Sequence, residues 1–213
     1  MRNDFPGLFL VLEGLDGSGT TTQAEFLARH FEQEGYSVLK VEEPGGTALG
    51  RQVRDILLQD RGINMEPLSE LLLFEVSRAQ LVREKIIPGL DDGKIIISDR
   101  FAISSVAYQG YGRGIPVEQV KQLNRIAVGG VRPDLTFFLD IGLAEWKKRY
   151  AGKKPDRIEK EREDFFRRVR EGYREEIKLA PDTVKVDGAR EKGEISRELI
   201  DRIEVELESI DRL

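Results

Sequence analysis

Between Glu13 and Thr22 the sequence reads Glu-Gly-Leu-Asp-Gly-Ser-Gly-Thr-Thr-Thr. This glycine-rich stretch follows an apolar run and opens an amphipathic one. Gly14 and Gly19 have the spacing of a phosphate-binding loop, in which successive backbone N–H groups and a helix N-terminus converge on phosphate oxygens. Gly17, Ser18, Gly19, Thr20, Thr21 and Thr22 supply those groups, and the Thr21 hydroxyl stands at the position that ligates magnesium. Thr20 occupies the place of the usual lysine. That loss removes a charge-assisted contact to the phosphates, a bond type worth about 1.5–3 kcal/mol, and puts catalysis in question more than binding. A carboxylate for magnesium or its water shell is available at Asp99, which ends the apolar run Ile95-Ile96-Ile97-Ser98.

Such residues need a scaffold that ends strands beside helix N-termini. Short apolar runs at 8–13, 37–43, 95–99, 135–140 and 183–187 alternate with stretches of helical spacing, which predicts an α/β fold around a mostly parallel sheet. Ala24, Leu27, Ala28 and Phe31 share one helical face, as do Ile195, Leu199, Ile203 and Leu207; both faces should cover the sheet. The run at 95–99 is apolar on consecutive positions and is expected to be central. From Lys147 to Arg174 mixed charge is dense, with an interruption at Gly152 and Pro155 and a helix-like stretch from about Ile158.

The chain has 213 residues, 34 Lys and Arg against 39 Asp and Glu, a net charge of −5 and no cysteine. The length suits one domain. The charge balance gives no reason to expect a nucleic-acid backbone or an anionic membrane as partner, so any basic site must be local. Thiolate metal sites, disulfides and a cysteine nucleophile are excluded. No apolar run approaches the roughly 20 residues of a membrane span. Without a recognisable secretion signal, the expected compartment is the cytoplasm.

Several further residues have a chemical reading of their own. Phe74 and Arg78 stand four apart on one helical face, where a ring can stack on a pyrimidine and a guanidinium can reach its carbonyl edge. Ser105, Tyr108 and Gln109 share a face and could line the same pocket. Arg54 and Arg100 offer planar forks suited to phosphate oxygens. His30, the sole histidine, reads as a surface or cap residue, and Trp146 as packing.

Asp16 in the loop, Glu43-Pro44-Gly45-Gly46-Thr47, the stretch Phe74 to Arg78, Asp99-Arg100-Phe101 with Ser104 to Gly110, and Asp156-Arg157-Ile158-Glu159 together resemble the thymidylate kinase family, over about residues 8–190. The resemblance implies a three-layer P-loop kinase fold with a central five-stranded parallel sheet, a single domain over 1–213 and a mobile lid at about 149–160. It implies transfer of the γ-phosphoryl group of ATP to dTMP with Mg2+, in a homodimer whose helices near 47–60 and 68–90 meet. The catalytic set it implies is Arg157, Asp16, Arg100 and Asp99, with Thr21 and Asp99 toward the metal. ATP would be held by Gly14, Asp16, the loop residues 17–22, Arg149 and Arg190. The acceptor would be held by Glu43, Arg54, Phe74, Arg78, Arg100, Ser105, Tyr108 and Gln109, with Tyr108 crowding C2′ to favour deoxyribose.

Glu42 departs from the family pattern, because related enzymes commonly carry arginine there. Gly17 lacks the basic loop side chain of one family branch, which resembles the branch that supplies a lid arginine. Arg149, Lys153, Lys154 and Arg157 are the lid cations available, and Lys153 or Lys154 could replace the charge absent at Thr20. Two other readings stay open at this point: a dTMP-binding protein weakened or silenced by Thr20, and a kinase for another small acceptor.

Overall fold

The five apolar runs become five strands in a computed structural model that describes residues 5–59, 62, 64–151 and 155–211. They are β1 (Leu8–Gly14), β2 (Val38–Glu42), β3 (Ile95–Asp99), β4 (Leu135–Asp140) and β5 (Thr183–Asp187). All pair in parallel, in the order β2-β3-β1-β4-β5. The centre belongs to β1, whose seven residues are all buried, and the run at 95–99 takes the interior position beside it. A strand covered on both faces has no use for polar alternation, hence its continuous apolar sequence.

Helix α1 (Thr20–Gln33) follows the phosphate-type loop directly, and α2 (Ala48–Leu58) and α3 (Pro67–Leu81) follow β2. The Thr47 hydroxyl caps α2 by accepting the Gly50 N–H at 2.9 Å, and Pro67 opens α3 at the position where a missing N–H costs nothing. A π-helical turn at Val82–Ile86 joins α3 to the short α4 (Ile87–Asp91). After β3 come α5 (Ala102–Ser105), a π-helical segment Val106–Gly112 and α6 (Val117–Val128); α7 (Leu143–Tyr150) and α8 (Glu163–Leu179) separate β4 from β5, and α9 (Lys192–Asp211) ends the fold.

One layer packs α1 and α9 on the sheet, with Leu27 and Phe31 beside Leu199 and Ile203, as their spacing predicts. The opposite face carries two clusters, one around Phe9, Val11, Leu81 and Ile86, the other around Phe138, Phe165, Phe166 and Tyr173. These are the three layers of an α/β sandwich.

The helix expected from about Ile158 starts instead at Glu163. Asp156 Oδ1 accepts the N–H groups of Ile158 and Glu159, both at 2.8 Å, and this side-chain turn competes with helix nucleation. Acidic Glu163 and Asp164 then occupy the first turn of α8, where the helix dipole favours them.

From β1 the chain runs first to β2 and β3 on one side and then to β4 and β5 on the other. The carboxyl ends of β1 and β3 therefore open on a crevice, the usual place for a ligand in such sheets.

Candidate active site

At that crevice β1 ends in Gly14, and the loop turns into α1 through Gly19 at φ 106°, a left-handed conformation that favours glycine. The first N–H groups of α1 thus face the strand ends with no side-chain cap of their own. Thr21 Oγ donates to Asp99 Oδ2 at 2.5 Å, joining the loop to the end of β3. Asp99 Oδ1 is buried without a hydrogen-bond partner. An orphaned carboxylate oxygen beside a hydroxyl is a donor set that fits magnesium, an ion that takes one or two protein oxygens and completes its shell with phosphate and water. No cluster of three or more His, Cys, Asp or Glu exists among the described residues, so no all-protein metal cage competes with that arrangement.

The cleft has a volume of about 320 Å³. Asp16, Gly17, Thr20, Thr21 and Asp99 stand on its loop side, and Glu43, Arg54, Phe74, Arg78, Arg100, Tyr108 and Gln109 are among the residues that line the remainder. Twelve residues singled out from the sequence therefore converge on one cavity. Arg100 lies at φ 74°, in left-handed backbone unusual for a side-chain-bearing residue, and its Nη2 donates to Asp16 Oδ1 at 2.6 Å. The Tyr108 hydroxyl donates to Asp16 Oδ2 at 2.8 Å, and the Arg100 guanidinium lies 5.3 Å from the Tyr108 ring centroid. Asp16, Arg100 and Tyr108 form a hydrogen-bonded triad between loop, strand end and helix.

Arg78 is almost wholly buried. Its Nε donates to Glu43 Oε2 at 2.8 Å, while Nη1 serves Glu75 at 2.7 Å, Asn124 at 2.6 Å and Ser105 at 3.0 Å. Burial pushes the Glu43 carboxyl up to about 7, against the pull of the Arg78 charge. Ser105 thus acts on Arg78 and is not part of the cavity wall, whereas Gln109 lines the wall and donates to Glu70 at 2.9 Å. Glu42, the acidic departure, lies 3.6 Å from Arg54, whose Nη1 also donates to the Pro44 carbonyl at 2.6 Å. The Glu43–Pro44 peptide is cis.

Arg157 does not reach the cleft. Its Nη2 donates to Glu70 at 2.6 Å and its Nε to the Leu57 carbonyl at 2.6 Å. The reason is electrostatic: the Glu70 carboxylate is buried, and Arg113 at 3.0 Å together with Arg157 supplies the charge it needs there. Burial alone would raise the Glu70 pKa, yet these partners hold it below the ordinary value. Arg149 donates to the Gly17 and Ser18 carbonyls at 3.1 and 3.2 Å and to Gly188 at 2.8 Å, so it braces the loop from outside the cleft. Arg190 pairs with Glu198 on the surface, away from the cavity lining. Lys153, Lys154 and Gly152 lie outside the described residues.

Sequence reasoning gave no role to Tyr150, Tyr173, Glu13 or Glu70. Tyr150 lines the cleft and its hydroxyl bonds to Glu159, but an aromatic inside a charged run carries no local signal of that. Asp156 also lines it, with its carboxyl pushed up to about 6 by burial and by the charges of Glu159 and Asp16.

Residues 12–200 match the family model described as thymidylate kinase. The chain is 46% identical over 196 residues to the thymidylate kinase of Thermoanaerobacter sp. (strain X514), covering 92% of this chain and 96% of that protein. Its identity to the thymidylate kinase of Kosmotoga olearia is 44% over 195 residues, covering 91% and 93% of the two chains. Among solved structures, thymidylate kinase from Ehrlichia chaffeensis aligns with a TM-score of 0.75 at 34% identity, over 92% of this chain and 98% of that one.

Proposed function

This chain belongs to the thymidylate kinase family and is a phosphotransferase that carries the γ-phosphoryl group of ATP to dTMP; on that premise we propose how its residues divide the task. The loop from Gly14 to Thr22 cradles the ATP phosphates with backbone N–H groups, and Arg149 holds the outside of that loop while Arg190 borders the adenine end. Thr21 and Asp99 would hold Mg2+, which supplies charge neutralisation at the transferring group. The unpartnered Asp99 Oδ1 supports that assignment.

On the acceptor side, Phe74 stacks on thymine, and Arg78, with Gln109 beside it, reads the base edge. Arg100 and Arg54 hold the phosphate oxygens in line for attack. Asp16 takes the 3′-hydroxyl as acceptor, and Tyr108, fixed against Asp16, fills the space a 2′-hydroxyl would need. The attacking phosphate oxygen is already nucleophilic, so catalysis rests on alignment and on cationic stabilisation, with no general base required.

The resemblance gives a transition-state charge to Arg157. Because that guanidinium is committed to Glu70, we assign it instead to anchoring the lid at about 149–160 against α3. A single kinase domain, a cytoplasmic setting and a homodimer complete the proposal; no helix among the described residues is long and apolar enough to cross a membrane.

The observation that carries this reading is the triad of Asp16, Arg100 and Tyr108 in the same cavity as Phe74 and Arg78. A coupled ADP-release assay with dTMP, dUMP, UMP, dCMP and AMP tests it. The expected ranking is dTMP first, with UMP gaining ground in Tyr108→Ala. Binding of dTMP without ADP release would leave the chain a nucleotide holder, and turnover of another acceptor with indifference to dTMP would refute the pocket assignment.

A further inference from the structure

Glu13 is the penultimate residue of β1, the most buried strand of the sheet, and is itself completely buried, a costly location for a carboxylate that lines no part of the nucleotide cleft. It lies behind that cleft, on the wall of a second cavity of about 370 Å³. Burial pushes its carboxyl above the ordinary value, while Ser104 and the charge of Arg100 pull it back. Something must offset that placement, and its hydrogen bonds show what.

Oε1 accepts the backbone N–H groups of Phe101 at 3.0 Å and Ser104 at 3.2 Å. Oε2 accepts the hydroxyls of Ser104 at 2.5 Å and Tyr173 at 3.2 Å. Both hydroxyls also meet Arg100: its Nη1 donates to Tyr173 at 2.9 Å and to Ser104 at 3.4 Å. The left-handed Arg100 backbone is held on either side, its N–H by the Leu12 carbonyl at 2.9 Å and its C=O by the Ser98 hydroxyl at 2.6 Å. The next N–H, that of Phe101, is the one bound to Glu13. Besides the Gly14 carbonyl, which accepts from Nη1 at 2.5 Å, the groups that hold the Arg100 side chain from behind are Ser104 and Tyr173, and both lead to the same carboxylate.

We propose that Glu13 is a positioning residue for the acceptor phosphate: through Ser104, Tyr173 and the Phe101 N–H it clamps Arg100 in the one conformation that presents its guanidinium to the phosphate. This rests on the assignment of Arg100 to the acceptor phosphate and deepens it. The carboxylate is required for two reasons. Two backbone N–H groups already occupy Oε1, so Oε2 must accept from two hydroxyls at once, which an amide nitrogen at that place cannot do. Its charge also balances the guanidinium in a water-poor site.

The test uses the full chain and two ligands that differ only by the phosphate, dTMP and thymidine, with dissociation constants measured by calorimetry. Glu13→Gln should weaken dTMP binding about tenfold, the scale of one charge-assisted hydrogen bond, and leave thymidine within about twofold. Arg100→Lys should show the same phosphate-selective loss, and the double variant should be no weaker than the worse single one, because both changes break one unit. If Arg100→Lys leaves dTMP affinity unchanged, the phosphate assignment itself fails. Where Arg100→Lys behaves as expected but Glu13→Gln weakens both ligands equally, or neither, or adds in full to Arg100→Lys, the positioning role is refuted. Should Glu13→Gln not fold, Ser104→Ala removes one relay hydroxyl and should still lower dTMP affinity selectively, about threefold; an unselective effect there refutes the role equally.

Discussion

Burial outweighs the adjacent Arg78 charge in setting the protonation of Glu43. The Arg78 guanidinium is 1% exposed and lies between two buried carboxylates, Glu43 and Glu75. One cation cannot neutralise both in a medium that disfavours charge, and the Glu43 carboxyl is pushed up to about 7 from 4.5. Between those values the folded chain keeps a proton that the unfolded chain has released, so this group's contribution to stability falls as pH rises from 4.5 through about 7. The full loss is about 3 kcal/mol. Urea unfolding of wild type and Glu43→Gln across pH 4.5 to 8 should show their difference in stability moving against wild type by that amount; a constant difference would mean that Glu43 stays ionised throughout. The placement of Phe74 and Arg78 on one helical face was legible from their spacing, since four residues fix a face. What surrounds Arg78 was not, because Asn124 and Ser105 arrive from helices 46 and 27 residues away at angles that no local pattern encodes.

Elements are positioned by close approach as much as by apolar faces. Helix α8 and the π-helical segment 106–112 pack through glycine on both sides. A Cβ on Gly112 would come within 2.6 Å of Phe165, and one on Gly172 within 2.7 Å of the Tyr111 ring. Gly172 lies mid-helix, where glycine costs helix propensity, so its presence answers to the packing. Gly172→Ala should therefore destabilise by about 1–3 kcal/mol, despite the better propensity of alanine. Because α8 carries Tyr173, which touches Arg100, the same change should raise the KM for dTMP more than that for ATP. Stability equal to or above wild type in thermal unfolding would show that the two segments yield freely. At this scale the sequence was most informative about strands: five apolar runs predicted five strands, because burial on both faces leaves little choice of composition. It was least informative about the charged stretch around Arg157. There, mixed charge fits a helix or a turn equally well, and a buried carboxylate 87 residues upstream decides where Arg157 goes.

For the molecule as a whole, two opposite faces of α3 have separate tasks. Phe74 and Arg78 face the cleft, while Leu68, Leu72 and Val76, four residues apart and 54%, 44% and 45% exposed, form an outward apolar stripe. The neighbouring α2 adds Leu49 and Ile56, 41% and 39% exposed, next to Thr47-capped backbone and Arg54 on the cleft side. A stripe of that kind on the helix that carries Phe74 and Arg78 fits self-association about a two-fold axis, in which each copy's stripe covers the other's. The partner would then brace α3 from behind, so that base recognition depends on assembly. Leu72→Glu with Val76→Glu places charges in that contact without touching the cleft. Sedimentation should give a dimer for wild type and a monomer for the variant at micromolar concentration. The monomer should keep its secondary structure and lose affinity for dTMP about tenfold, with ATP affected less, because Phe74 and Arg78 lie on the unbraced helix while the phosphate loop lies on β1 and α1. A wild-type chain already monomeric at that concentration would remove the stripe's proposed role, and a monomeric variant with unchanged dTMP affinity would separate assembly from base recognition.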